Sequence, residues 1–160
     1  MTTSKKLILW GCGIAAAVVV AGIAAVVFFI VYAAQDAKGV GIAVTGPPDV
    51  QVGDTFKLTV AVTNERPDKN FALSDIDIAE KYLAGFTIST IDPHPKSNMH
   101  VPIDNSRSYT FDTPIPPGQS RIFTFTLRAE KAGLYHGDVD ICEGLRFVTD
   151  QAQTSVTEKK

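Results

Sequence analysis

The sequence predicts an all-β fold, an antiparallel β-sandwich of about seven to eight strands, preceded by one transmembrane α-helix. Three observations carry this. Leu7 to Ala34 is an unbroken uncharged run. From Val40 onward the apolar residues alternate with polar ones, the period of half-buried strands. Turns rich in glycine and proline recur at short intervals with no helical periodicity between them, which is the pattern of a sandwich.

Taken in order, residues 1–6 form a short N-terminus carrying Lys5 and Lys6, and 7–34 reads "LILWGCGIAAAVVVAGIAAVVFFIVYAA". As a helix this run would extend roughly 42 Å at 1.5 Å per residue, more than the about 30 Å of a bilayer core. Trp10 near one end and Phe28, Phe29 and Tyr32 near the other sit where interfacial aromatics belong. A cleaved secretory signal has a much shorter apolar region, and "YAAQD" is a weak cleavage pattern. A lipobox ending in Cys12 would leave only Leu7 to Trp10 as its apolar part. With Lys5 and Lys6 before the run, and Lys38 balanced by Asp36 after it, the N-terminus is expected in the cytoplasm and the rest outside. Gly13, Ala17, Ala21 and Ala25 recur every fourth residue, a small-residue ridge on which a second helix, from another copy or another protein, can pack. Residues 35–39 are a short linker, so the outer domain is expected close to the bilayer.

The outer domain is expected over 40–157, with 158–160 a charged tail. Val40, Ile42 and Val44 alternate before "TGPPD" breaks the run. In "VGDTFKLTVAVTNE" Phe56, Leu58, Val60 and Val62 share one face. "LSDIDIAEKYLAGF" follows with Ile76 and Ile78 on one side and Asp75 and Asp77 on the other, and "FTISTI" places Phe86 and Ile88 inward. "DPHPKSNMHVPIDNSR" reads as a long irregular loop. "SYTF" is a short strand, "RIFTFTLRA" turns Phe123, Phe125 and Leu127 inward, and "GLYHGDVDICEG" does the same with Tyr135, Val139 and Ile141. "RFVT" and "TSVT" close the chain as short strands, and no helix is expected in this domain.

Within this pattern, Gly53 and Asp54 open a strand that ends in Thr63 and Asn64. Pro117 to Ser120 open a later strand, and Ala132 to Tyr135 lead into the next. The stretch from about Val50 to Val156 resembles the Ig-like modules of bacterial and archaeal surface proteins, including the cell-adhesion-related type. The resemblance implies an Ig-like sandwich with an adhesive or spacer role. The motif residues themselves are turn formers without reactive groups.

Bulk properties narrow the function further. One domain of ordinary size fits the 160 residues, and a net charge of -2 excludes a global basic field for nucleic acid. Cys12 and Cys142 are the two cysteines, one expected in lipid and one outside, so no intrachain disulfide is expected. His136, Asp138, Asp140 and Cys142 alternate on one strand. Successive members are about 6.6–6.8 Å apart, so a metal would need ligands from a neighbouring strand. Asp75 and Asp77 are the candidates to join Asp138 and Asp140 in binding Ca²⁺, although such alternation is also what a solvated sheet face looks like. His94, Met99 and His100 with Cys142 invite a copper reading, but lack the compact cysteine-to-histidine spacing of such a site. No G-x-S-x-G, Walker or H-E-x-x-H motif occurs.

The expected function is therefore noncatalytic: a single-pass interaction or assembly module needing no cofactor. It would bind the bilayer and a membrane or envelope protein, using the helix, the sheet edges or the loop bearing Asp92, His94, Lys96, Met99, His100 and Arg107. A pilin-like filament subunit and a Ca²⁺ or small-ligand binder are the alternatives.

Overall fold

The computed structural model describes the backbone of residues 3–33 and 37–159 and the side chains of 17–32 and 37–159. The chain divides into two units, Met1–Gln35 and Asp36–Lys160.

The first unit is the helix α1 (Thr3–Ala33). Ala17, Ala21 and Ala25 lie on its exposed surface, whereas the side-chain surroundings of Gly13 and Cys12 lie outside the described residues. Among the described residues no helix is long and apolar enough to cross a membrane. The fully described stretch, 17–32, is shorter than the about 20 apolar residues that a bilayer core requires.

The second unit contains ten strands, β1 (Val40–Thr45), β2 (Asp49–Gln51), β3 (Thr55–Asn64), β4 (Phe71–Ala79), β5 (Phe86–Asp92), β6 (Ser97–Val101), β7 (Ser106–Ile115), β8 (Ser120–Ala129), β9 (Gly133–Glu143) and β10 (Arg146–Thr157), with a one-turn helix α2 (Glu80–Leu83) between β4 and β5. They form two sheets, ordered β1-β3-β8-β5 and β2-β10-β9-β4-β7-β6. All pairings are antiparallel except that of β2 with β10.

The core lies where the apolar alternation puts it. Phe56, Leu58, Val60 and Val62 of β3 and Phe123, Phe125 and Leu127 of β8 are buried from one sheet. Ile76, Ile78, Tyr109, Phe111, Val139 and Ile141 meet them from the other. Edge contacts such as Tyr109 on Phe125, at 5.2 Å between centroids, lock the two layers together. Each large side chain buried this way contributes about 1.5–3 kcal/mol.

Two polar clasps tie the layers at one end. Asn64 is fully buried, donates from Nδ2 to the carbonyls of Lys69 and Ile115 at 2.8 Å, and accepts from the Arg66 amide. Its bonds join the end of β3 in one sheet to the end of β7 in the other, and both of its side-chain N–H donors are used. Beside it Arg66 makes a two-pronged bond to Glu143, 2.9 Å at each oxygen. Both side chains are about a tenth exposed.

Four expectations are corrected. The strands number ten among the described residues, because β2 and β6 are short edge strands whose side chains are largely exposed and so show no apolar alternation. The expected loop from Asp92 to Arg107 is mostly an edge hairpin, in which Ser97–Val101 pairs with Ser106–Thr110 through the backbone. "RFVT" and "TSVT" are the two ends of one strand, β10, whose polar middle faces outward at Thr149, Gln151 and Gln153. Finally, "EKYL" is helical. Tyr82 and Leu83 project from α2 into the core, and Tyr82 exchanges a hydrogen bond with Thr154.

Candidate functional site

β4 and β9 are neighbours. Their register sets Asp77 opposite Asp140 and Asp75 opposite Cys142, and residues directly opposite in a sheet share a face. With Asp138 two residues before Asp140, the four expected aspartates therefore meet on the outer face of the six-stranded sheet. Asp104, just beyond β6, adds a fifth carboxylate within electrostatic reach of Asp77 and Asp140. No periodicity in the sequence marked it, because it reaches the patch from a turn.

Countercharge is sparse there. Gln151 donates to Asp138 at 3.2 Å and Thr149 to Asp140, while Lys81 stands 3.9 Å from Asp138. The Cys142 thiol donates to Asp77 at 3.6 Å, yet Asp77 Oδ1 is shielded from solvent with no hydrogen-bond partner among the described residues. Burial pushes the Asp77 carboxyl above its ordinary range, Ser108 and Cys142 oppose it by hydrogen bonding, and Asp75 and Asp104 push it up further. Asp140 is raised likewise, chiefly by burial, with Asp77 and Asp138 adding to it and Thr149 opposing. Burial first, and then the negative neighbours, also raise the Cys142 thiol, which makes it a poor nucleophile.

Among the described residues no group of three or more His, Cys, Asp or Glu is placed to hold a metal ion. His136 is exposed and paired with Gln153, beyond the end of β4 in the ladder. The copper set is dispersed, since Cys142 on β9 lies three strands from Met99 and His100 on β6, roughly 14 Å at about 4.8 Å per strand.

The second place of interest is the open side of the sandwich, where β5 ends one sheet and β6 the other. A cavity of about 700 Å³ lies between them, walled by Leu83, Phe86, Ile88 and Ile91 and bordered by Glu80, His94, Asn98, Arg107 and Tyr109. Of the six residues expected to form an interaction loop, His94 and Arg107 reach this cavity. Arg107 Nε and Nη2 both contact Glu80 Oε1 at 3.1 Å, and His100 Nδ1 approaches the same oxygen at 3.4 Å. Lys96 turns away to Asp112 at 3.2 Å, Met99 is exposed and Asp92 is the exposed last residue of β5. Glu80 and Tyr109 were invisible as site residues in the sequence. Glu80 belongs to an unexpected helix, and Tyr109 reads as an ordinary core aromatic.

No family model and no curated protein matches the chain. Solved structures do. The CARDB domain of the PF1109 protein from Pyrococcus furiosus, described in complex with di-metal ions, is 14% identical with a TM-score of 0.51, covering 74% of this chain and 87% of that one. The cohesin module of a family 33 glycoside hydrolase from Clostridium perfringens is 12% identical with a TM-score of 0.52, covering 75% and 98%. At such identities the likeness establishes an Ig-like β-sandwich and nothing about activity.

Proposed function

We propose that the chain is a membrane-anchored, noncatalytic interaction module. In this reading 7–34 crosses the bilayer with the N-terminus in the cytoplasm, and the Ig-like sandwich binds a membrane or envelope protein outside. The observation that carries it is the open side of the sandwich, where two edge strands and a half-apolar cavity lie together. An edge strand with a free row of main-chain groups is a template for a partner strand. The charge-free run before the domain and the lysines that precede it support the anchoring. The ridge of Gly13, Ala17, Ala21 and Ala25 supports packing of the helix on a second helix, of its own kind or of the partner. The fold likeness to CARDB and cohesin modules is consistent with such a module and reaches no further than the sandwich itself.

The test is purification of the full chain from its native membranes in mild detergent, with mass measured by light scattering and composition by mass spectrometry. A second protein in fixed stoichiometry is expected, after the chain itself has resisted alkaline extraction. A monomer carrying lipid alone would contradict the reading.

A further inference from the structure

Residues 37–39 are pinned to one end of the sandwich. Ala37 is 2% exposed and belongs to the core, and its amide donates to the Phe147 carbonyl at 3.4 Å. Arg66 Nε donates to the Lys38 carbonyl at 2.9 Å, and the Glu65 amide to the Gly39 carbonyl at 3.0 Å. The chain therefore joins the domain at a fixed place, between the β9–β10 hairpin and the loop that follows β3. Ala34, the last residue of the charge-free run, stands three positions before Ala37. Three residues of chain reach about 11 Å at most. In the membrane-anchored reading, this end of the sandwich is held against the bilayer surface.

The hairpin at that end is apolar where turn chemistry does not ask for it. Gly144, at a φ of 65°, supplies the left-handed residue of the β9–β10 turn. Beside it Leu145 is 55% exposed, and Phe147, two positions on, is 46% exposed. Tight turns favour glycine, asparagine, aspartate and serine, and neither side chain belongs to the core. Single exposed apolar residues are ordinary. A leucine and a phenylalanine side by side, next to the point where an apolar run joins the domain, are suited to the boundary between headgroups and acyl chains. Lys38 and Lys69 nearby are interspersed with Glu65 and Asp68, which is not the cluster of basic residues that selects anionic lipid.

We propose that the tip formed by Leu145 and Phe147 inserts into the outer leaflet as a second membrane contact, driven by burial of apolar surface, and so fixes which end of the sandwich faces the bilayer. Leu134, near the start of the same strand β9, lies nine residues from Glu143, about 30 Å at 3.4 Å per residue, and is held away from the lipid. The inference rests on the reading of 7–34 as a membrane span and adds the interfacial contact that orients the domain.

The test uses the full chain reconstituted in phosphatidylcholine vesicles, with quenching by phosphatidylcholine brominated on its acyl chains. Trp10 is the sole tryptophan, so a reporter is introduced by Leu145→Trp, Phe147→Trp or Leu134→Trp, each combined with Trp10→Phe. Blue-shifted, strongly quenched emission is expected from Leu145→Trp and Phe147→Trp, and water-like, unquenched emission from Leu134→Trp. High salt should leave the quenching unchanged, because the contact is apolar and not a screened charge attraction. Each variant should melt with the parent, since the replaced side chains are about half exposed or more. Absence of quenching at both tip positions overturns the inference, as does equal quenching of Leu134→Trp or quenching that disappears in high salt. Blue-shifted emission without quenching overturns it too, and would assign the tip to a contact with a second copy of the chain. Trp10 in the parent chain separates the two claims. Quenched Trp10 with an unquenched tip leaves the membrane anchoring standing, whereas an unquenched Trp10 with an unquenched tip removes both.

Discussion

At the scale of single residues, the carboxylates set the behaviour that is easiest to measure. Asp77 and Asp140 bind their protons more tightly in the folded chain than in the unfolded one. Their contribution to stability is therefore complete below the ordinary value of 3.8 and is lost as pH rises through their raised folded values. Glu143 has the opposite sign. The hydrogen bond from Arg66 lowers it from 4.5, so its contribution is present above that value and is lost as pH falls through the lowered one. The melting temperature of the full chain should accordingly climb as pH is lowered from neutral through the raised values of Asp77 and Asp140, and fall again in stronger acid once Glu143 is protonated. Asp77→Asn, scanned by differential calorimetry, should melt higher than the parent at neutral pH and show a flatter climb. A parent curve that shows no climb anywhere between neutral pH and the ordinary value of 3.8 would contradict the account of this face. Repeating the neutral scan in saturating Ca²⁺ distinguishes proton from cation binding, because a shift that disappears in Asp138→Asn with Asp140→Asn would mark a cation site.

Asn64 shows what a residue-level reading of the sequence does and does not reach. Its place after Thr63 at the end of an alternating run marks it as a turn residue able to bond local backbone. That it also closes one sheet on the other, through the carbonyl of Ile115, depends on a contact between residues far apart in the chain. The same limit applies to Tyr109. Alternation shows which way its ring points, but whether its hydroxyl meets a partner depends on β5, β6 and α2, which converge only in three dimensions.

At the scale of elements, α2 is seated by one residue of the neighbouring strand. Gly137 occupies an inward position of β9, where a Cβ would lie 2.8 Å from that of Ala79 and 2.9 Å from that of Tyr82. Its missing side chain is what lets α2 lie on β9 and Tyr82 fill the end of the core. Gly137→Ala should lower stability by about 1–3 kcal/mol through overpacking, read from chemical denaturation. A variant as stable as the parent would show that α2 does not depend on this contact.

The elements that were legible in the sequence were those with one wet face and one dry face. β3, β8 and β9 alternate cleanly because each has a sheet partner on both sides and a core beneath it. β6 escaped because an edge strand with exposed side chains is held by backbone bonds alone, and backbone bonds leave no trace in residue type. α2 escaped because one turn is too short to establish a period. The adjacency of β4 and β9, on which the meeting of Asp77 and Asp140 depends, is a matter of sheet order and is not encoded in either strand separately.

At the scale of the whole molecule, the sequence divides into a charge-free run and an alternating domain, and the fold of the domain matches its pattern. The likeness to CARDB and cohesin modules reaches the architecture; the function belongs to the sites that the architecture leaves open. Of those, the edge of β5 and the cleft beside it combine an unpaired backbone edge, an apolar wall and the Glu80–Arg107 pair. The chemistry of the acidic face of the opposite sheet is that of protonation.

The most direct test of a binding module that works through this open side is photocrosslinking in native membranes. A photoreactive residue is placed in turn at Asn98 beside the cleft, at Gln153 on the far outer face of the six-stranded sheet, and at Ala21 in α1. The account predicts one discrete protein adduct from Asn98, with none from Gln153, and an adduct to lipid or a second helix from Ala21. Lipid adducts alone from all three positions would contradict it.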